Sequence, residues 1–177
     1  MKQENLKAMA QIKNSILLSL ILFISACGYH LRGSIDLPEG LKSIFLRGAT
    51  AQLHKTMQQT LRSSGGQLVT TVEQAGLVIH IIKERMDRRV LSLSSTGRAS
   101  EYEITYDLDF TLFDSEGNEL STKQRIEISK DYFNDQEEVL GKDNEERVIR
   151  EEMYRKAVQS IISRSRIVLE NLENLEK

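Results

Sequence analysis

Cys27 is the residue whose surroundings spell out a covalent reaction. It is the only cysteine in 177 residues and directly follows Ile24, Ser25 and Ala26. An aliphatic residue, two small residues and a thiol match the bacterial lipobox, where small side chains let a peptidase hold the backbone closely and the sulfur accepts a diacylglycerol. A lone thiol in an exported protein is otherwise a reactive liability or half of an intermolecular disulfide. Thioether formation removes both. Each buried methylene adds about 0.8 kcal/mol and stable anchoring takes two chains or more, so a diacyl group with a third, N-linked acyl chain would hold a domain permanently.

The second chemical feature is cationic. Lys83, Arg85, Arg88 and Arg89 fall within seven residues of an extended segment. Alternation sends Lys83, Arg85 and Arg89 to one face and Arg88 to the other. Arginine forks suit phosphate, so the segment reads as a phosphate-binding or partner-binding patch. The plainer and preferred reading is a solvated edge strand whose charges discourage pairing, because Glu84 and Asp87 are interleaved. His30, His54 and His80 lack metal-ligand spacing, and neither a phosphate loop nor a nucleophile in a recognisable turn is present. These features predict neither an enzyme nor a metal or cofactor.

The elements that would position these groups begin with a leader. Lys2, Lys7 and Lys13 precede the apolar stretch Ile16 to Ile24, the pattern of a secretory signal over residues 1–26. As a helix the stretch would span about 14 Å, half of a ~30 Å hydrocarbon core, which argues against a transmembrane anchor. The basic region is long, and Met9 is an alternative start to Met1. Without its leader the chain loses three lysines and Glu4, and its formal charge moves from −2 to −4. A nucleic-acid binder would usually be basic on one face, so nucleic acid is not an expected partner.

Residues 27–40 hold three glycines and Pro38 and read as the lipidated N-terminus and linker. A single domain is expected over 41–170, with a frayed tail over 171–177. Ser43 to Arg47 suits a short strand. Thr50 is a plausible N-cap for a helix whose stripe is Leu53, Met57 and Leu61. Gln67 to Thr71 could extend. Leu77 to Ile82 reads as a strand buried on both faces, followed by the cationic segment and a turn at Ser94 to Gly97. Tyr102, Ile104, Tyr106, Leu108, Phe110 and Leu112 then alternate with polar residues, the pattern of a half-buried strand. Asp114 to Asn118 is turn chemistry, and a second alternating strand to Tyr132 should pair with the first. The last helix could start at a capping box of Asp135 with Glu138 or of Asp143 with Glu146. Its stripe is Ile149, Met153, Ala157 and Ile161, widened by Val158 and Ile162. The predicted class is α+β: two helices on one face of a mostly antiparallel sheet of about four strands.

From Cys27 to Gly33 the chain reads CGYHLRG, and this opening resembles the LPS-assembly lipoproteins of the LptE family. GRASEYE at 97–103, DYFN at 131–134 and KDNE at 142–145 leading to EMY at 152–154 agree with it in the same order over nearly the whole mature chain. The resemblance implies a non-enzymatic protein that plugs the lumen of the outer-membrane β-barrel LptD, assists its assembly and binds lipopolysaccharide on its way to the outer leaflet. It also implies a lipid anchor in the outer membrane, on the periplasmic side, since Gly28 after the cysteine is similar to residues that permit release there. Lys142 matches the family's basic position in the KDNE block. Ser95 and Thr96 stand where the family has a second one, with Arg98 beside them as a replacement. Arg88 and Arg89 complete the expected lipopolysaccharide contacts. Two rivals remain: a lipid carrier with an apolar groove along the Tyr102 to Leu112 row, and an envelope hydrolase.

Overall fold

The computed structural model describes residues 37–133 and 139–175, with only the backbone described over 139–144. Cys27 and His30 therefore lie outside the described residues. The chain runs α1 (Glu39–Lys42), β1 (Ser43–Arg47), α2 (Ala51–Ser63), β2 (Gln67–Leu68), a 3-10 turn (Val72–Gln74), β3 (Leu77–Leu93), β4 (Ala99–Phe113), β5 (Glu119–Phe133) and α3 (Val139–Leu175).

One sheet of order β2-β1-β3-β4-β5 organises the domain. β3, β4 and β5 form an antiparallel meander, as the alternating rows predict. β1, by contrast, pairs in parallel with both β3 and β2. The expected sheet of about four mostly antiparallel strands is thus a mixed sheet of five, and α1 is a third helix. Parallel neighbours need a crossover, and α2 is that crossover between β1 and β3. The return at Gly48 is tight. Its φ is +80°, and a Cβ there would stand 2.4 Å from the Ile81 carbonyl oxygen, so only glycine fits.

The helices cover one face of the sheet. α2 buries Leu53, Met57 and Leu61, while α3 buries Met153, Ala157, Val158, Ile161 and Ile162. Opposite them Ile104, Tyr106, Leu108, Phe110 and Leu112 are fully buried. That closes the row on which the lipid-carrier rival depends. The packed domain reaches back to Leu37, buried within the stretch expected to be linker. At the other end the backbone is helical as far as Leu175, which is itself exposed. The Asp143 start for α3 is also overturned, because the backbone is already helical from Val139; Asp135 and Glu138 lie outside the described residues.

A bulge between Ile81 and Lys83 sets the faces of the long strand. It leaves Ile82 half exposed at the end of a run expected to be buried on both sides. Beyond it Glu84, Met86 and Arg88 stand opposite Leu108, Tyr106 and Ile104, on the helix side. β1 reaches along β3 only as far as His80. β3 is therefore central over its first residues, and its cationic stretch has a strand partner on the β4 side alone. The protected-edge reading applies there.

Candidate functional site

Two polar arrangements follow from this parity, one on each side of the sheet. On the helix side Glu84 lies against apolar neighbours, and its carboxylate accepts from the Thr50 N–H at 2.8 Å, the Thr50 hydroxyl at 2.7 Å and the Tyr106 hydroxyl at 2.9 Å. Thr50 is the N-cap of α2 and accepts from the Leu53 N–H. A carboxylate at a helix N-terminus is favoured by the dipole, so this contact fixes where α2 meets β3 and β4. Burial, with Glu84 adjacent, pushes the Tyr106 phenol far above its usual range, and it stays a neutral donor.

Further along the same face, Glu146 gathers three elements. Its Oε2 accepts from Arg88 Nη1 of β3 at 2.9 Å and from the Tyr132 hydroxyl of β5 at 2.6 Å. Its Oε1 accepts from Arg150 Nε, one turn along α3, at 2.8 Å. The Arg88 guanidinium also lies 4.7 Å above the Tyr102 ring, which stacks on Tyr132 at 5.5 Å. Beside this hub opens a cleft of about 580 Å³ lined by Gln52, Arg88, Glu146, Arg147, Arg150, Glu151 and Tyr154.

The hub makes stability depend on pH. Burial raises the Glu146 carboxyl, but bonds from Tyr132, Arg150 and Arg88 outweigh it and hold the group below its ordinary value. The unfolded chain then binds the extra proton first, so the contribution is complete at neutral pH and is lost as pH falls from about 4.3, the ordinary glutamate value, through the lowered native one. At pH 7 the Glu146→Gln variant should melt roughly 2–8 °C lower, for a net loss of about 1–2 kcal/mol. Thermal melts should show the two proteins converging below about pH 4. A gap that stays constant with pH would show that the charge does not matter.

On the opposite face the sheet has no helix over it among the described residues. Glu103, Asp107 and Asp109 of β4 form a central acidic row. Arg89 meets Glu103 at 2.6 Å, Arg125 meets Asp107 at 3.0 Å, and Lys123 meets Asp109 at 3.7 Å. Exposed pairs of this kind contribute little each. Their effect is to make a broad sheet face hydrophilic.

The expected contact residues are thus divided. Arg88 points to the helices and Arg89 to the open face, as alternation predicts, so the two cannot grip one group together. Arg98 sits in the β3–β4 turn, where its N–H donates to the Ser94 hydroxyl, more than about 15 Å along the ladder from Arg88. Lys142 falls in the first turns of α3, and its side chain lies outside the described residues. Sequence reading missed Glu146 as the centre of the cleft. Its spacing to Arg150 is visible as an i, i+4 pair, but its bond to Arg88 spans 58 residues. Among the described residues no His, Cys, Asp and Glu cluster could hold a metal ion, and no helix is long and apolar enough to cross a membrane.

The architecture, a mixed sheet with helices on one face and an ion-paired opposite face, is that of a small α+β envelope lipoprotein domain. Solved lipoproteins share it. A lipoprotein B from Nitrosomonas europaea is 25% identical with a TM-score of 0.65, covering 78% of this chain and 90% of that one. The rare lipoprotein B of Shewanella oneidensis is 26% identical with a TM-score of 0.62, covering 74% and 98%. The LPS-assembly lipoprotein LptE of Photorhabdus laumondii is 26% identical over 165 residues, 90% of this chain and 87% of that protein. The profile of the LptE family, described as lipopolysaccharide-assembly, matches residues 41–165. The chain belongs to the LptE family, a non-enzymatic family of LPS-assembly lipoproteins.

Proposed function

We propose that this chain is anchored in the outer membrane through Cys27, faces the periplasm, occupies the lumen of the LptD β-barrel and binds lipopolysaccharide during its delivery. Family membership supports a part in lipopolysaccharide transport. The observation that carries the plug reading is the open sheet face, with its acidic row on β4 between cations on β3 and β5. A wide barrel has a wet, polar lumen, and a domain inserted there needs a hydrophilic exterior that is not covered by its own helices. β4 and β5 have 15 residues each, about 50 Å of strand, more than enough to traverse an apolar band of about 25 Å.

Affinity purification of the tagged chain from detergent-solubilised envelopes tests this. Stoichiometric recovery of one large β-barrel is expected, and recovery of the lipoprotein alone would count heavily against the plug. Charge reversal at Lys142 together with Arg98 should weaken lipopolysaccharide capture without changing the melt. Unchanged capture removes those two residues from the reading.

A further inference from the structure

The Glu146 cleft differs in kind from the ion pairs on the open face. There each cation meets carboxylates across strands of one rigid sheet. In the cleft, guanidiniums from β3 and α3 converge on a single carboxylate, carried near the start of α3. Glu145 is exposed and so is Val148, Ile149 is partly buried, and the first fully buried side chain of α3 among those described is Met153. Polar bonds hold this end of the helix to the sheet.

Arg88, Arg147 and Arg150 all line the cleft. A guanidinium fork binds a phosphate as well as a carboxylate, through parallel N–H···O bonds, and a phosphomonoester near neutral pH carries up to twice the charge of Glu146. Arg147 is engaged with Glu151 at 2.9 Å in an exposed i, i+4 pair, and the inference rests on Arg88 and Arg150 alone. Gln52 and Tyr154 add neutral polar groups. The volume of about 580 Å³ exceeds what a bare phosphate needs and suits a phosphorylated sugar.

We infer that the cleft between β3 and α3 is a phosphomonoester site, with Glu146 occupying the place of the ligand on Arg88 and Arg150 until a phosphorylated saccharide displaces it. Displacement breaks the Glu146 bonds from Arg88 and Tyr132, and a phosphate held by Arg88 of β3 and Arg150 of α3 takes over the link between the start of α3 and the sheet. The ligand has two possible sources, a soluble sugar phosphate or the phosphorylated saccharide headgroup of a lipid. The second rests on the lipopolysaccharide reading above, whereas the first stands without it.

Calorimetric titration of the full chain in non-ionic detergent tests the inference, with inorganic phosphate, glucosamine 6-phosphate and, as control, glucosamine. Wild type should bind glucosamine 6-phosphate and not glucosamine. Glu146→Gln removes the resident competitor and should bind about tenfold tighter, while Arg150→Gln should bind at least tenfold weaker. If Glu146→Gln does not fold, Glu146→Asp, which withdraws the carboxylate by one methylene, should shift affinity in the same direction. Unchanged or weaker binding in whichever of these two folds overturns the inference, as does the absence of binding to wild type. Lipopolysaccharide and its dephosphorylated form distinguish the sources. Tightening toward the phosphorylated lipid assigns the site to the headgroup, and tightening toward the sugar phosphate alone assigns it to a soluble ligand. Failure to recover a barrel leaves the sugar-phosphate titration fully readable, so the two proposals can fail separately.

Discussion

A chain carrying Cys27→Ser should lose its acyl chains completely and partition into the soluble fraction. A single myristoyl chain gives only marginal, reversible attachment, on the order of 10⁴ M⁻¹, and two or more chains are needed to hold a domain. The lipobox cysteine would supply them all at one sulfur and its neighbouring amine, so there is no graded loss. The test is metabolic palmitate labelling followed by fractionation of washed membranes. The chain must be expressed in excess over any membrane partner, so that docking to a barrel does not retain it. Label on the serine variant, or its persistence in the washed membrane, would remove the anchor from the reading.

Phe110→Ala should cost about 3–5 kcal/mol of stability. The Phe110 side chain is fully buried beneath the helices, in the row between Leu108 and Leu112. Removing it deletes the transfer energy of the ring and leaves a void that neighbours on a fixed sheet cannot fill. For a domain of this size the melting temperature should fall by roughly 6–20 °C, and the urea midpoint should fall with an unchanged slope. Phe133, 73% exposed at the end of β5, provides the contrast, since its alanine variant should stay within about 0.5 kcal/mol of wild type. A loss below about 1 kcal/mol at Phe110 would mean that the site is not tightly packed. That outcome would return weight to the lipid-carrier rival.

Those two residues also mark what could be read without coordinates. The Tyr102 to Leu112 row and the two helix stripes are local periodicities, and they placed β4, α2, α3 and the covered face correctly. The opposite orientations of Arg88 and Arg89 followed from alternation alone. Pairing between distant segments was not legible. β2 lies within Gln67 to Thr71, which could be read as extended, but nothing there names its partner, and nothing in Ser43 to Arg47 says that it runs parallel to Leu77 to His80. The Ile82 bulge depends on how β3 meets β4 and has no sequence mark of its own. The site divided along the same line. Cationic residues were visible as a cluster, but their partners were not, because Glu146 reaches Arg88 only after the sheet and α3 have assembled.

The mixed sheet has a consequence for the order of assembly. The hairpins of β3, β4 and β5 close through neighbours in sequence and can form quickly once that stretch is free. β1 depends on a partner 33 residues downstream, with Ile44 paired to Leu77. A chain that crosses a membrane from its N-terminus therefore delivers the apolar SIFLR segment before β3 exists to pair with it. Until β3 emerges, only α2 and the two-residue β2 are there to shield that segment, which stays an aggregation hazard. The exported polypeptide is thus expected to need a periplasmic holding chaperone during the interval, and slowing the appearance of β3 should lengthen that dependence.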